Sequence, residues 1–258
     1  MRKVRSKVTA IRGLAAAARP RLPLILDSLR LQKKPYRIKV RETGLIFDLS
    51  PQCGDWFTFY ECCVRKDYFS ISGDLQNGAS VLDIGGNFGA FAMMAAHMIG
   101  PTGRVHCYES SPVSHRRIKD QLSVNGLTSV DAFNAAVGGT NGSVTLHVHT
   151  KSALNSTLTE VDVRIEKGVT SIDVEMISIS DALSQLPGNI AIAKIDCEGS
   201  EYEIMDSIAD EDLQRVGILA METHAVPGRS RSSIFEKLSD NKFKIFDGNP
   251  FFAVNPGL

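Results

Sequence analysis

An α/β fold, a mostly parallel sheet with helices on both faces, is predicted by three observations. From residue 79 onward, apolar strand-like runs alternate with helix-like stretches over short connections, as in a parallel sheet buried on both sides. The run Val81-Leu82-Asp83-Ile84-Gly85-Gly86-Asn87-Phe88-Gly89 is a buried strand that ends in an acid and turns through glycines into a helix. Glu109 then follows 20 residues after Gly89, at the end of the next strand-like run, which is the layout of a nucleotide-cofactor site.

The elements follow in order. Tyr36–Val40 alternates at strand period, and Gly44-Leu45-Ile46-Phe47-Asp48-Leu49 is its hairpin partner. The aromatic-rich stretch from Asp55 to Phe69 is dense enough in apolar residues for a buried helical turn; it could roof a pocket, though core packing is the commoner use of such residues. Strands are expected near 80–84, 104–108, 129–133, 190–195 and 216–221, and helices near 88–99, 113–124, 200–208 and 230–239. Ser111 with Pro112 supplies an N-cap and a first-turn proline for the second of these helices. Between the third and fourth strands, residues 143–149 and 172–179 alternate like an antiparallel excursion, and Ser180–Leu183 reads as a capped short helix. Residues 242–246 and 251–254 read as two strands around the turn Asp247-Gly248-Asn249-Pro250.

Length and composition set the frame. The 258 residues, 43% hydrophobic and 22% charged, exclude collagen-like and wholly disordered classes and suit one large domain. The net charge of zero hides an asymmetry: residues 1–41 hold 13 Lys/Arg against Asp27 alone, a balance of +12. We therefore divide the chain into a basic N-terminal extension, 1–35, and a catalytic domain, 36–258. Such an extension is most commonly frayed or packed on the surface; it also suits weak contact with a membrane surface or a grip on RNA, and its Arg-rich start resembles a transit peptide. No run of about 18 uninterrupted apolar residues occurs. The five cysteines include no CxxC pair, which fits free thiols in a reducing compartment, so a cytoplasmic protein is expected.

Two further constellations carry chemistry. Ile190-Ala-Ile-Ala-Lys-Ile-Asp-Cys-Glu-Gly-Ser-Glu201 is an apolar strand ending in three acids within six residues, at the end of a parallel strand where ligands bind. Lys194, inside the run, is expected to pair with one of these three acids, because an unpaired buried ammonium is costly. Met221-Glu222-Thr223-His224 closes the next strand, and a histidine there can take a hydroxyl proton, its neutral form being abundant near pH 7. Asp196, Glu198 and Glu222 with His224 have separations that match no diagnostic metal motif, so no metal is expected.

The dinucleotide fingerprint GxGxxG is not met, since Asn87 and Ala90 fall where its second and third glycines belong. Asp83-Ile-Gly-Gly-Asn-Phe-Gly89, Tyr108-Glu109, Asn134 with Ala136, and Lys194-Ile-Asp-Cys-Glu-Gly-Ser-Glu201 instead resemble the FkbM family of methyltransferases over residues 55–224. Gly86 stands where Ala is usual in that family, Ser110 where Pro is common, and Cys197 and Ser200 also depart from its pattern.

The resemblance implies a Rossmann-like class I methyltransferase fold with a seven-stranded sheet, a C-terminal antiparallel strand, and S-adenosyl-L-methionine as cofactor. It implies O-methylation of a hydroxylated small molecule such as a sugar, a polyketide or a related metabolite, with no nucleic acid as partner. Cofactor contacts are expected from Asp83, Gly85, Gly86, Asn87, Phe88, Gly89, Glu109, Ser110, Asn134, Ala135 and Asp196. His224, Asp196 and Glu198 are the expected catalytic group. Two rivals are an RNA methyltransferase using the basic arm and a non-catalytic binding protein on the same fold. The loop Asp196-Cys-Glu-Gly199 lacks the Asn/Asp-Pro-Pro-aromatic form of many amino-directed base methyltransferases, and retention of Asp83, Glu109 and Asp196 speaks against a silent scaffold.

Overall fold

The computed structural model describes residues 2–73, 75–149, 156–157 and 169–258. Helix α1 (Arg2–Ala17), strand β1 (Ala18–Arg19) and helix α2 (Arg21–Ser28) lead into the hairpin β2 (Tyr36–Val40) and β3 (Ile46–Leu49), and β1 pairs antiparallel with β2. The N-terminal segment packs on the chain that follows it. Leu14, Ala18 and Leu24 are buried in the same apolar cluster as Ile38, Phe47 and Phe91, because these side chains point inward while the exposed cations point out. Asp27 is buried too, accepting from the Tyr36 hydroxyl at 2.8 Å and the Gln52 amide at 2.9 Å.

Helix α3 (Asp55–Phe59) runs into a π-helical stretch (Tyr60–Arg65) and a 3-10 turn (Asp67–Phe69). The regular α/β part follows as β4 (Ser80–Ile84), α4 (Ala90–Ile99), β5 (Arg104–Tyr108), α5 (Pro112–Asn125) and β6 (Val130–Phe133). The Ser111 hydroxyl caps α5 as expected, accepting from the Ser114 amide. An excursion then builds a second sheet from β7 (Ala136–Gly138), β8 (Gly142–His149), β9 (Ser156–Thr157) and β10 (Val169–Ser178), in the order β7-β10-β8-β9, with β8 and β10 antiparallel. The chain returns through α6 (Ile179–Ser184), capped by Ser178, to β11 (Ile190–Ile195), α7 (Glu201–Ser207), α8 (Asp210–Gln214) and β12 (Val216–Met221). It ends with α9 (Arg231–Asp240), β13 (Lys244–Phe246) and β14 (Phe251–Val254).

The main sheet has seven strands in the order β13-β14-β12-β11-β4-β5-β6. Its β11, β12, β4, β5 and β6 are mutually parallel, and β14 is antiparallel to both its neighbours. Both faces are covered, and the period-2 geometry of a strand divides the core accordingly. Val81 packs with residues from α1 to α5, while Leu82 and Ile84 pack with residues from α6 to α9. Strand order reverses between β4 and β11, and ligands of open α/β sheets bind at the carboxyl ends of the strands at such a switch point.

Candidate active site

At that point the β4 and β11 backbones nearly touch. Gly85 has φ +82°, and a Cβ added there would lie 1.8 Å from the carbonyl oxygen of Asp196, so only glycine fits. Gly86 meets a second restriction, since its Cβ would approach the Cys107 sulfur to 2.4 Å. The turn is held from below by Lys194. Its buried ammonium donates to Asp83 Oδ1 at 3.1 Å and to the carbonyl of Gly85 at 2.8 Å, and lies 3.9 Å from Asp196 Oδ2. Burial alone would lower its pKa, yet the Asp83 and Asp196 carboxylates hold it above the ordinary lysine range.

Two cavities open on either side of this turn. The first is lined by Gly85, Asn87, Glu109, Ser110, Ala135 and Asp196 among others, six of the expected cofactor contacts. Glu109 accepts from the Asn87 amide at 2.7 Å and the Ser111 amide at 2.8 Å; burial pushes it up to about 7 against these two bonds. Asn87 adopts φ 54°, and its side-chain oxygen is buried without a hydrogen-bond partner.

The remaining expected contacts lie elsewhere. Asp83 is fully buried behind the turn, its carboxylate engaged by Lys194 and Cys107, so it braces the turn and lines neither cavity. Phe88 packs edge-on against Phe47 in the core, Gly89 is the N-cap of α4, and the Asn134 amide donates to the Glu109 and Ser110 carbonyls. Gly86 faces the second cavity. Strand-end position and glycine spacing mark the loop but do not distinguish residues that face its cavity from those that brace it.

The second cavity, about 240 Å³, shares Gly85, Asn87, Asp196 and Glu198 with the first and adds Phe57, Glu61, Tyr68, Glu222 and His224. His224 Nδ1 hydrogen-bonds the fully buried Glu201 at 2.7 Å, and Nε2 lies 3.4 Å from Glu198 Oε2. That bond to Glu201, ahead of the nearby Glu198 and Asp196 charges and against burial, raises His224 to about 9. At neutral pH the imidazole is therefore largely protonated, a correction to the expectation drawn from an isolated histidine near pH 7. Asp196, Glu198 and His224 each bring one ligand-type atom to within 4.8 Å of the others, an approach their sequence separations do not display and one that would also admit a cation.

Sequence reasoning leaves Tyr68 between roof and core, and the structure gives it both places. Its ring is buried against Phe91, while its hydroxyl donates to Glu222 Oε1 at 2.6 Å and reaches Asp196 Oδ2 at 3.2 Å. Glu201 and Glu222 are visible in the sequence as members of acid-rich strand ends; their partners are visible only in three dimensions.

The profile of the methyltransferase FkbM domain matches residues 83–245, well over half the chain. This chain belongs to the FkbM methyltransferase family. It is 25% identical over 223 residues to 31-O-demethyl-FK506 methyltransferase FkbM of Streptomyces tacrolimicus, covering 76% of this chain and 85% of that one. Methyltransferase sdnD of Sordaria araneosa is 25% identical over 199 residues, covering 67% and 76%. Among solved structures it is similar to methyltransferase FkbM from Methylobacillus flagellatus KT, with 13% identity and a TM-score of 0.48. That similarity covers 73% of this chain and 46% of the other, less than half its length. As an FkbM-family chain it departs from the usual Ala at Gly86 for a reason now evident: Cys107 and Ile118 occupy the space that the methyl group needs.

Proposed function

We propose that this methyltransferase uses S-adenosyl-L-methionine to methylate a hydroxyl of a small molecule such as a sugar, a polyketide or a related metabolite. The observation that carries the reading is the junction: one cavity holds Glu109 and Asn87, the other holds His224, and they meet at Gly85, Asn87, Asp196 and Glu198. A relative named for O-methylation of 31-O-demethyl-FK506 supports oxygen as the acceptor atom.

The residues present fit the cofactor. Glu109, at the end of β5, offers carboxylate oxygens suited to ribose hydroxyls, and Asn87, whose side-chain oxygen has no hydrogen-bond partner, lines the same cavity. Gly85, Ser110 and Ala135 let the backbone approach. When bound, the cofactor supplies an electrophilic methyl group on a sulfonium.

The chain's own residues then have two tasks, alignment and proton removal. Asp196 and Glu198, on the wall common to both cavities, orient the acceptor hydroxyl. His224 Nε2, once neutral, takes its proton, and Glu201 stabilises the imidazolium that forms.

Calorimetric titration with S-adenosyl-L-methionine tests the cofactor assignment, with NAD as a control. The wild type should bind the former and not the latter, and Glu109→Ala should weaken binding by roughly 10-fold or more, the scale of a lost charge-assisted hydrogen bond. Failure of the wild type to bind sinks the proposal; unchanged affinity in Glu109→Ala removes the ribose assignment.

A further inference from the structure

The helix α2 is amphipathic with its apolar stripe on the wrong side for a buried helix. Leu24 and Asp27 are fully buried and define its inner face. The opposite face carries Leu22, 62% exposed, and Leu29, 47% exposed, one heptad apart, with the partly exposed Ile25 and Leu26 between them. The chain then folds back so that the Leu31 amide donates to the Leu26 carbonyl at 2.8 Å, which places Leu31, 62% exposed, beside the end of the helix. Three of the large hydrophobic side chains left most open to solvent thus fall within ten residues.

Cations surround them. Arg19, Arg21, Arg30, Lys33 and Lys34 are exposed, and among the described residues none has a carboxylate within salt-bridge distance. The only acid of residues 1–41 is Asp27, whose carboxylate is buried and already bonded to Tyr36 and Gln52. An apolar stripe bordered by unpaired cations complements one environment in particular: the interface of a bilayer, where aliphatic side chains enter the acyl boundary and Lys/Arg meet anionic headgroups. The cations alone would also suit a phosphate backbone, but exposed leucines have no role there, and this face lacks the aromatic side chains on which single-stranded bases stack. A second copy of the same face would meet like charge.

We propose that the outer face of α2 and the basic turn 30–34 dock this enzyme peripherally on an anionic phospholipid surface. The face is rigidly attached to the enzyme, since α2 packs on α3, and α3 carries Phe57, a residue of the second cavity. The bilayer therefore lies one helix away from the chamber assigned to the acceptor. The docking itself does not depend on that assignment.

Sedimentation of the full chain with vesicles tests it, comparing phosphatidylcholine alone with phosphatidylcholine containing about one-third phosphatidylserine. At low salt the wild type should partition at least ~10-fold more onto the phosphatidylserine vesicles, and the difference should shrink as NaCl shortens the Debye length. Leu22→Ser/Leu29→Ser/Leu31→Ser, which keeps every charge, should lose most of the binding, as should Arg30→Glu/Lys33→Glu/Lys34→Glu. Both change exposed side chains, so an unaltered circular dichroism spectrum and Tm should accompany the loss. Equal binding to both vesicle types, binding that survives the leucine changes, or a fluorescent single-stranded RNA held equally well by the wild type and the leucine variant and able to displace vesicles, would each overturn the proposal.

Discussion

His224 shows how one buried neighbour sets the working range of a residue. The Glu201 carboxylate, fully buried and 2.7 Å from Nδ1, raises the imidazole to about 9, and Glu198, Asp196 and Glu222 face the same cluster from the ends of β11 and β12. Because the folded-state value lies above the ordinary value of 6.5, the stabilisation this pairing gives the fold is fully present below pH ~6.5 and is lost as pH rises through ~9. Catalysis runs the other way, since a general base works only when neutral. The rate should therefore climb from pH 7 to about 9 in the wild type, and Glu201→Gln should move that climb to lower pH by removing the largest raising influence. His224→Ala should lower kcat by ~10²–10⁴-fold and flatten the profile. A pH–rate series on the three proteins checks this, and a Glu201→Gln profile superimposable on the wild type would refute the pairing as the controlling interaction. The sequence places His224 at a strand end but cannot supply its pKa, because Glu201 lies 23 residues away and meets it only through the sheet.

At the scale of the element, the contact between β4 and β11 is what the sequence describes best and explains least. Both strands are legible from their apolar runs, and the acids and glycines at their ends mark the binding edge. The register that sets Lys194 opposite Asp83 is not legible, because pairing partners of parallel strands depend on a crossover of more than a hundred residues. The Lys194 ammonium joins the Asp83 carboxylate to the Gly85 carbonyl, so it fixes the shape of the turn as well as balancing a charge. Lys194→Met should cost about 3–5 kcal/mol, the range for breaking a buried pair and leaving one charge uncompensated. Adding Asp83→Asn removes the orphaned charge and should restore much of the stability. It should not restore cofactor affinity, because the Gly85 carbonyl still lacks its donor. Urea denaturation and calorimetric titration of the single and double variants separate the two outcomes; recovery of both together would reduce Lys194 to a charge partner.

At the scale of the whole molecule, the basic N-terminal segment shows what charge alone leaves open: how firmly it packs on the rest of the chain. Charge dominates residues 1–35 in the sequence, yet Leu14 of α1, Ala18 of β1 and Leu24 of α2 form a buried inner face, while Arg12, Arg19, Arg21 and Arg30 are exposed. A net-charge argument weighs all residues alike, whereas packing is decided by the few that point inward. These helices cover Ile38 and Phe47, and Asp27 fastens α2 to the hairpin through Tyr36 and to the α3 approach through Gln52. Removing residues 1–35 should therefore lower the urea midpoint and Tm of the remaining chain sharply, or leave it unable to fold, instead of yielding an intact catalytic domain. Leu24→Ala gives the milder test: one buried leucine truncated at full charge should cost about 2–5 kcal/mol. The Leu22, Leu29 and Leu31 substitutions on the outer face of the same region should leave stability nearly unchanged, within roughly 0.5 kcal/mol. A truncated chain as stable as the full one would mark the segment as a frayed extension; a large loss from Leu24→Ala with none from the outer leucines would establish that one short helix faces the core on one side and remains open to a partner on the other.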